Sequence, residues 1–101
     1  MVTCYLQYQI DPEKVREFEE YGKMWIKLVN TFGGMHHGYF LPHESANNIA
    51  YALFTFESLA SYEKYRQESV DHPECRRAYE FAVDTKCILS YDRRFVRPVF
   101  N

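Results

Sequence analysis

The order in which hydrophobic periods follow one another constrains this chain more than any single residue does. From the N-terminus it reads strand, helix, strand, strand, two helices, strand. Val2, Cys4, Leu6, Tyr8 and Ile10 alternate with Thr3, Tyr5, Gln7 and Gln9, the period of two that marks a strand. Asp11-Pro12 reads as a helix cap and first helical position. Val15, Phe18, Tyr21, Trp25, Leu28, Val29 and Phe32 recur at helical spacing, which predicts an amphipathic helix to about Thr31. Gly33-Gly34 supply the conformations that stop it. Met35 to Leu41 reads as a second strand, Pro42 to Asn48 as a polar loop, and Ile49 to Phe56 as a third strand. Ser58 is placed to cap a helix that carries Leu59, Tyr62 and Tyr65 toward the core. Asp71-His72-Pro73-Glu74 interrupts it, with Asp71 and Glu74 at capping-box spacing. Cys75, Ala78, Phe81 and Ala82 then mark a third helix, and Cys87 to Phe95 the last strand.

This order predicts an α+β, ferredoxin-like βαββαβ fold. Its four-stranded antiparallel sheet has strand order 4-1-3-2 and helices on one face. The third strand is nearly continuous in apolar residues from Ile49 to Phe54, the pattern of a strand covered on both sides. The helices can cover only one. A second copy of the sheet is the simplest cover, so the expected assembly is an obligate homodimer pairing into a dimeric α/β barrel, with at least ~800 Å² buried per protomer.

Composition narrows the function classes. With 101 residues the chain suits one domain over 1–101, and 47% hydrophobic residues exclude a disordered chain. A formal net charge of -2 argues against a nucleic-acid partner. No apolar run approaches the ~18 residues of a membrane span, and no leader pattern precedes the first strand, so the expected location is the cytoplasm. The cysteines Cys4, Cys75 and Cys87 are odd in number and form no CxxC. Cys4 and Cys87 each begin an antiparallel strand and so lie too far apart to bridge; reduced, buried thiols are expected.

His36-His37 is the sharpest local feature. Adjacent strand residues face opposite ways, so one histidine alone can reach the barrel interior, as acid, base or axial haem ligand. Its competing role is a hydrogen-bonded structural side chain. The divergence makes a two-histidine metal site poor, so no metal, haem or other cofactor is expected. His43 and His72 fall in loops or caps and are read as exposed. Tyr5 and Gln7, with Ser90, Asp92 and Arg94, offer a polar lining on the face away from the helices, where Ile88 is also placed. Arg94 suits a carboxylate or enolate, with Asp92 as partner or base. The competing role of this set is a network that fixes dimer register. Arg93, Arg94 and Arg97 otherwise read as a solvated basic patch, and Phe18, Tyr21 and Trp25 as core. No phosphate loop, GxSxG or HExxH is present.

Gly38-Tyr39-Phe40-Leu41, Asn47-Asn48-Ile49, Phe56-Glu57-Ser58-Leu59, Asp71-His72-Pro73-Glu74 with Phe81, and the ending Arg94 to Phe100 resemble the NIPSNAP family in order and over nearly the whole chain. The chain departs from the family at Cys75, where a Trp is common. The resemblance implies the dimeric α+β barrel superfamily, which includes cofactor-free monooxygenases, isomerases, haem-binding enzymes and proteins without assigned activity. The expected role is binding a small apolar or enolisable molecule, between sheet and helices or inside the barrel, with cofactor-independent chemistry by one of His36 and His37 with Arg94. The alternative is a non-enzymatic homodimeric interaction module. An RNA-recognition domain shares the topology but needs a basic surface beside stacking aromatics, against the charge balance found here.

Overall fold

The structure, a computed structural model, describes residues 1–100. Its elements are β1 (Val2–Ile10), α1 (Val15–Thr31), β2 (Met35–Phe40), β3 (Ile49–Phe56), α2 (Leu59–Ser69), α3 (Pro73–Thr85) and β4 (Ile88–Val96). The strands form one antiparallel sheet in the order β2-β3-β1-β4. This is the ferredoxin-like α+β arrangement that the element order predicts. The slab measures 36 × 35 × 18 Å, two layers with one sheet face left open. No helix among the described residues is long and apolar enough to cross a membrane.

The core lies between sheet and helices. Cys4, Leu6, Tyr8 and Ile10 of β1 and Ala50, Ala52, Phe54 and Phe56 of β3 are buried there, as a period of two requires. Phe18, Tyr21, Trp25, Leu28 and Val29 of α1 close over them. Gly22 lets α1 approach, since a Cβ there would meet the Tyr39 ring at 2.9 Å. Cys4, Cys75 and Cys87 are free and buried.

Several local expectations are corrected. Asp11-Pro12 does not begin α1. Asp11 Oδ1 instead accepts from the Glu13 amide at 2.9 Å in a turn, and the helix starts at Val15. The side chain of Asp71 does not cap α3. His72 holds the cap position without a side-chain bond, and Pro73 is the first helical residue, where a missing N–H costs nothing. Ser58 does cap α2, accepting from the Ser61 amide at 3.1 Å. Leu59 points outward, leaving Tyr62 and Tyr65 to pack inward. His72 is half-buried against Phe32 rather than exposed, with ring centroids 5.2 Å apart. β2 ends at Phe40, one residue early, and Cys87 just precedes β4.

Two register shifts matter for function. One separates His36 from Gly38 in β2, with Gly38 at φ +111°, a conformation suited to glycine. The other falls between Gln9 and Ile10 opposite Ser90 and Ile88. It sends Ile88 to the core side instead of the open face.

Candidate functional site

The register places the predicted lining on the open face. Tyr5 lies opposite Arg94, Gln7 opposite Asp92 and Gln9 opposite Ser90. Arg94 Nε donates to Asp92 Oδ2 at 3.0 Å, and Ser90 Oγ donates to Gln9 Oε1 at 3.0 Å. The Arg94 side chain is 70% exposed in the protomer, so this pair contributes little alone. Across the face stands His37 on β2. Its Nε2 is 2.7 Å from Thr55 Oγ1, which is 2.7 Å from Thr3 Oγ1. The chain beyond β4 crosses the sheet, bringing Phe100 to 5.8 Å from His37. His37 and Arg94 thus share a face but occupy its opposite edges, three strand spacings or roughly 14 Å apart.

His36 turns the other way. It stacks on Tyr39 at 5.0 Å and lies 5.5 Å from Phe54, inside the helix layer. Its Nδ1 accepts from the Gly38 amide at 2.9 Å, which assigns the proton to Nε2, a buried atom with no partner. Burial, helped by His37, lowers its pKa from 6.5 to about 4. A depressed histidine is neutral in the fold while the unfolded chain takes up a proton below 6.5. Its contribution is therefore complete above pH 6.5 and lost as pH falls toward 4. Denaturant titrations of wild type and His36→Leu between pH 7 and 4.5 are expected to show a steeper acid loss in wild type. Parallel profiles would remove His36 as a cause.

A second feature lies on the other side of the sheet. A cavity of about 530 Å³ opens between sheet and helices along β4, within the usual range for small-molecule sites. Its walls carry Tyr8, Tyr21, Tyr39, Tyr65, Tyr79 and Tyr91, together with Trp25, the chain's only tryptophan. Val83, Leu89 and Tyr91 are lining residues that remain exposed, on and beside an edge strand of the sheet. Burial pushes the hydroxyls of Tyr8, Tyr21, Tyr39 and Tyr65 well above their ordinary pKa of 10. They stay protonated and serve as hydrogen-bonding groups on an apolar wall.

Three cations reach the same cavity: Arg66, Lys86 and Arg93. No Asp, Glu or His lines it among the described residues. Arg93 shares the core side of β4 with Tyr91 and Phe95, and its guanidinium lies 5.3 Å over the Tyr91 ring. Its Nε is buried without a partner, as is the indole Nε1 of Trp25. Arg66 Nη1 donates to the Tyr62 hydroxyl at 3.2 Å. Burial raises the Cys4 thiol to about 11 against the opposing pull of Arg93 and Arg66, so it is no ready nucleophile. No cluster of three or more His, Cys, Asp or Glu suited to a metal occurs among the described residues.

Arg93, expected in a solvated basic patch with Arg94 and Arg97, instead lines the cavity with its Nε buried, and the sequence offered no role for Arg66 or for an aromatic cavity wall. For Arg93 a signal existed: in the alternation of β4, Arg93 falls in phase with Tyr91 and Phe95, and Arg94 does not.

A family model described as NIPSNAP matches residues 5–100. No curated protein matches the sequence. Among solved structures, a NIPSNAP family protein with unknown function from Agrobacterium tumefaciens superposes with TM-score 0.82 at 16% identity, over 97% of this chain and 87% of that one. An uncharacterized NIPSNAP-like domain protein from Burkholderia xenovorans gives 0.78 at 19%, over 97% and 84%. A protein from Nitrosomonas europaea, provisionally named an antibiotic biosynthesis monooxygenase, gives 0.75 at 8%, over 99% and 100%. At such identities the likeness is one of fold.

Proposed function

Because the chain belongs to the NIPSNAP family, we propose that it acts as a homodimeric small-molecule carrier or receptor built from one domain. Each protomer holds a mostly apolar ligand between sheet and helices. The observation that carries this reading is the 530 Å³ cavity with its wall of tyrosines and Trp25. Large rings with polar tips bind apolar bodies while orienting them by hydrogen bonds. The lining supplies donors but no His or carboxylate for proton abstraction, so binding is favoured over enolisation or oxygenation at this site. The three buried, free thiols suit the cytoplasm.

The second part of the reading is assembly. Met35, Phe40, Tyr51, Val96, Val99 and Phe100 are exposed on or beside the open sheet face. The surface area is 6620 Å², against about 6,000 Å² for a compact monomer of this mass. A 36 × 35 Å face is large enough for the ~800 Å² per partner of a stable interface. A second copy stacked there would enclose His37, Tyr5, Gln7, Asp92 and Arg94, which then set the register of two sheets. An interaction module without ligand is the rival, and the open face alone would serve it.

Trp25 decides between them. Titration with the neutral fluorophore 9-anthracenemethanol is expected to quench Trp25 emission and sensitise anthracene emission, saturating at one per protomer. A Trp25 spectrum unchanged both by this probe and by 9-anthracenecarboxylate would leave the interaction module as the function.

A further inference from the structure

We propose that the cavity selects carboxylates: its ligand carries an apolar, ring-sized body against the tyrosines and a carboxylate held by Arg93 and Arg66. This rests on the ligand-binding role above and names the chemical class. The argument begins with charge. A chain of net charge -2 places three cations and no acid around one cavity. None of the three makes an ion pair among the described residues, where the four bridges involve Lys23 twice, Lys64 and Arg94. A partly enclosed cation without a counter-charge is costly beside apolar walls, and an anionic ligand removes that cost.

The hydrogen-bond inventory points the same way. Arg93 Nε and Trp25 Nε1 are both buried and unpartnered, and Trp25 is 5% exposed. Both are donors only, and a carboxylate brings acceptors that such donors can use. Arg93 is held by the Tyr91 ring and Arg66 by the Tyr62 hydroxyl, which keeps both forks ordered before a ligand arrives. Tyr62, which holds Arg66, packs its ring 4.9 Å from that of Phe95, two residues from Arg93 on the same face of β4, so the two arginines stand at the same end of the cavity. Lys86 lies at the other end of β4, beside Ile88. A guanidinium presents parallel N–H groups that match a carboxylate. The arrangement therefore orients a ligand head-first toward Arg93 and Arg66, with its body along Tyr8, Tyr39 and Trp25.

The test pairs 9-anthracenecarboxylate with its neutral counterpart 9-anthracenemethanol, each titrated into the intact protein and read by Trp25 energy transfer. The carboxylate is expected to bind at least tenfold more tightly, with the margin shrinking as salt rises. Arg93→Gln and Arg66→Gln should each weaken the carboxylate about tenfold and leave the alcohol within twofold. Lys64→Gln, an exposed cation of α2 outside the cavity, should change neither. Circular dichroism checks that each variant folds; should Arg93→Gln not fold, Arg66→Gln and the salt series carry the same comparison. Equal affinity for the two probes, or equal loss of both on replacing either arginine, overturns the carboxylate assignment while leaving a ligand cavity in place. Binding of neither probe overturns the cavity function and this inference together.

Discussion

Replacing Phe18 by alanine is expected to bring the protein close to unfolding. Phe18 is fully buried, and its ring lies 5.0 Å from Tyr8, 5.6 Å from Tyr39 and 5.9 Å from Tyr21. It joins α1 to the first two strands of the chain at one point. Truncating a buried Phe to Ala costs about 3–5 kcal/mol, the transfer of the ring plus the void left behind. The whole domain has about 5–15 kcal/mol to lose. Collapse of the void is hindered, because its neighbours are rigid rings and the Tyr39 ring already abuts Gly22. The thermal midpoint should drop by well over ~10 °C. Phe18→Leu, which keeps most of the volume, should cost less than half as much. A loss below ~1 kcal/mol for the alanine variant in urea titrations would show that the core is organised elsewhere. Tyr8 and Tyr39 also form the cavity wall, so the same variant should weaken 9-anthracenemethanol even where it remains folded.

If the protein pairs through its open sheet face as proposed above, Tyr51→Asp is expected to leave it a folded monomer. Tyr51 lies on the open face of the central strand β3, opposite Gln7, and its ring is 6.1 Å from Tyr5. In the isolated protomer it is 36% exposed, so a carboxylate there keeps contact with water. Beneath a second sheet the same carboxylate would be buried and unpaired. That costs about 2–5 kcal/mol, or roughly thirtyfold or more in dimer dissociation. Light scattering at micromolar concentration should find dimer for wild type and Tyr51→Phe, and monomer for Tyr51→Asp. A wild-type monomer, or a Tyr51→Asp dimer, would show that the open face is not the interface. Since the cavity lies on the other side of the sheet, Trp25 should still report probe binding in the monomer.

The two faces were unequally legible in the sequence. Alternation in β1 assigned Cys4, Leu6, Tyr8 and Ile10 to the core correctly, because side-chain direction in a strand is a local property of the backbone. The same rule brought Tyr5, Gln7, Asp92 and Arg94 to one face. It misplaced Ile88, because one extra residue in β4 reverses the phase. It paired His36 with His37 as alternatives, and the structure sends the first into a ring stack and the second to the Thr55 hydroxyl. Asp11 and Asp71 carried cap-like patterns, yet the helices begin at Val15 and Pro73. In both places another local preference won: the turn in which Asp11 Oδ1 accepts from the Glu13 amide, and proline at the first position of α3.

What the sequence by itself determined is the element order, the antiparallel sheet with helices on one side, the apolar set beneath them and the family. The family follows from the series of motifs between Gly38 and Phe100; the rest follows from period and turn chemistry, which act over a few residues. The tertiary structure alone decided where the empty space lies. That depends on how far α1 and α3 stand from β4, on the register shift near its start, and on the close approach of α1 to Tyr39 at Gly22. These are long-range distances, and no local pattern encodes them. Alternation alone turns Arg93 to the core side and Arg94 outward to pair with Asp92, but only those distances leave a cavity for Arg93 to line.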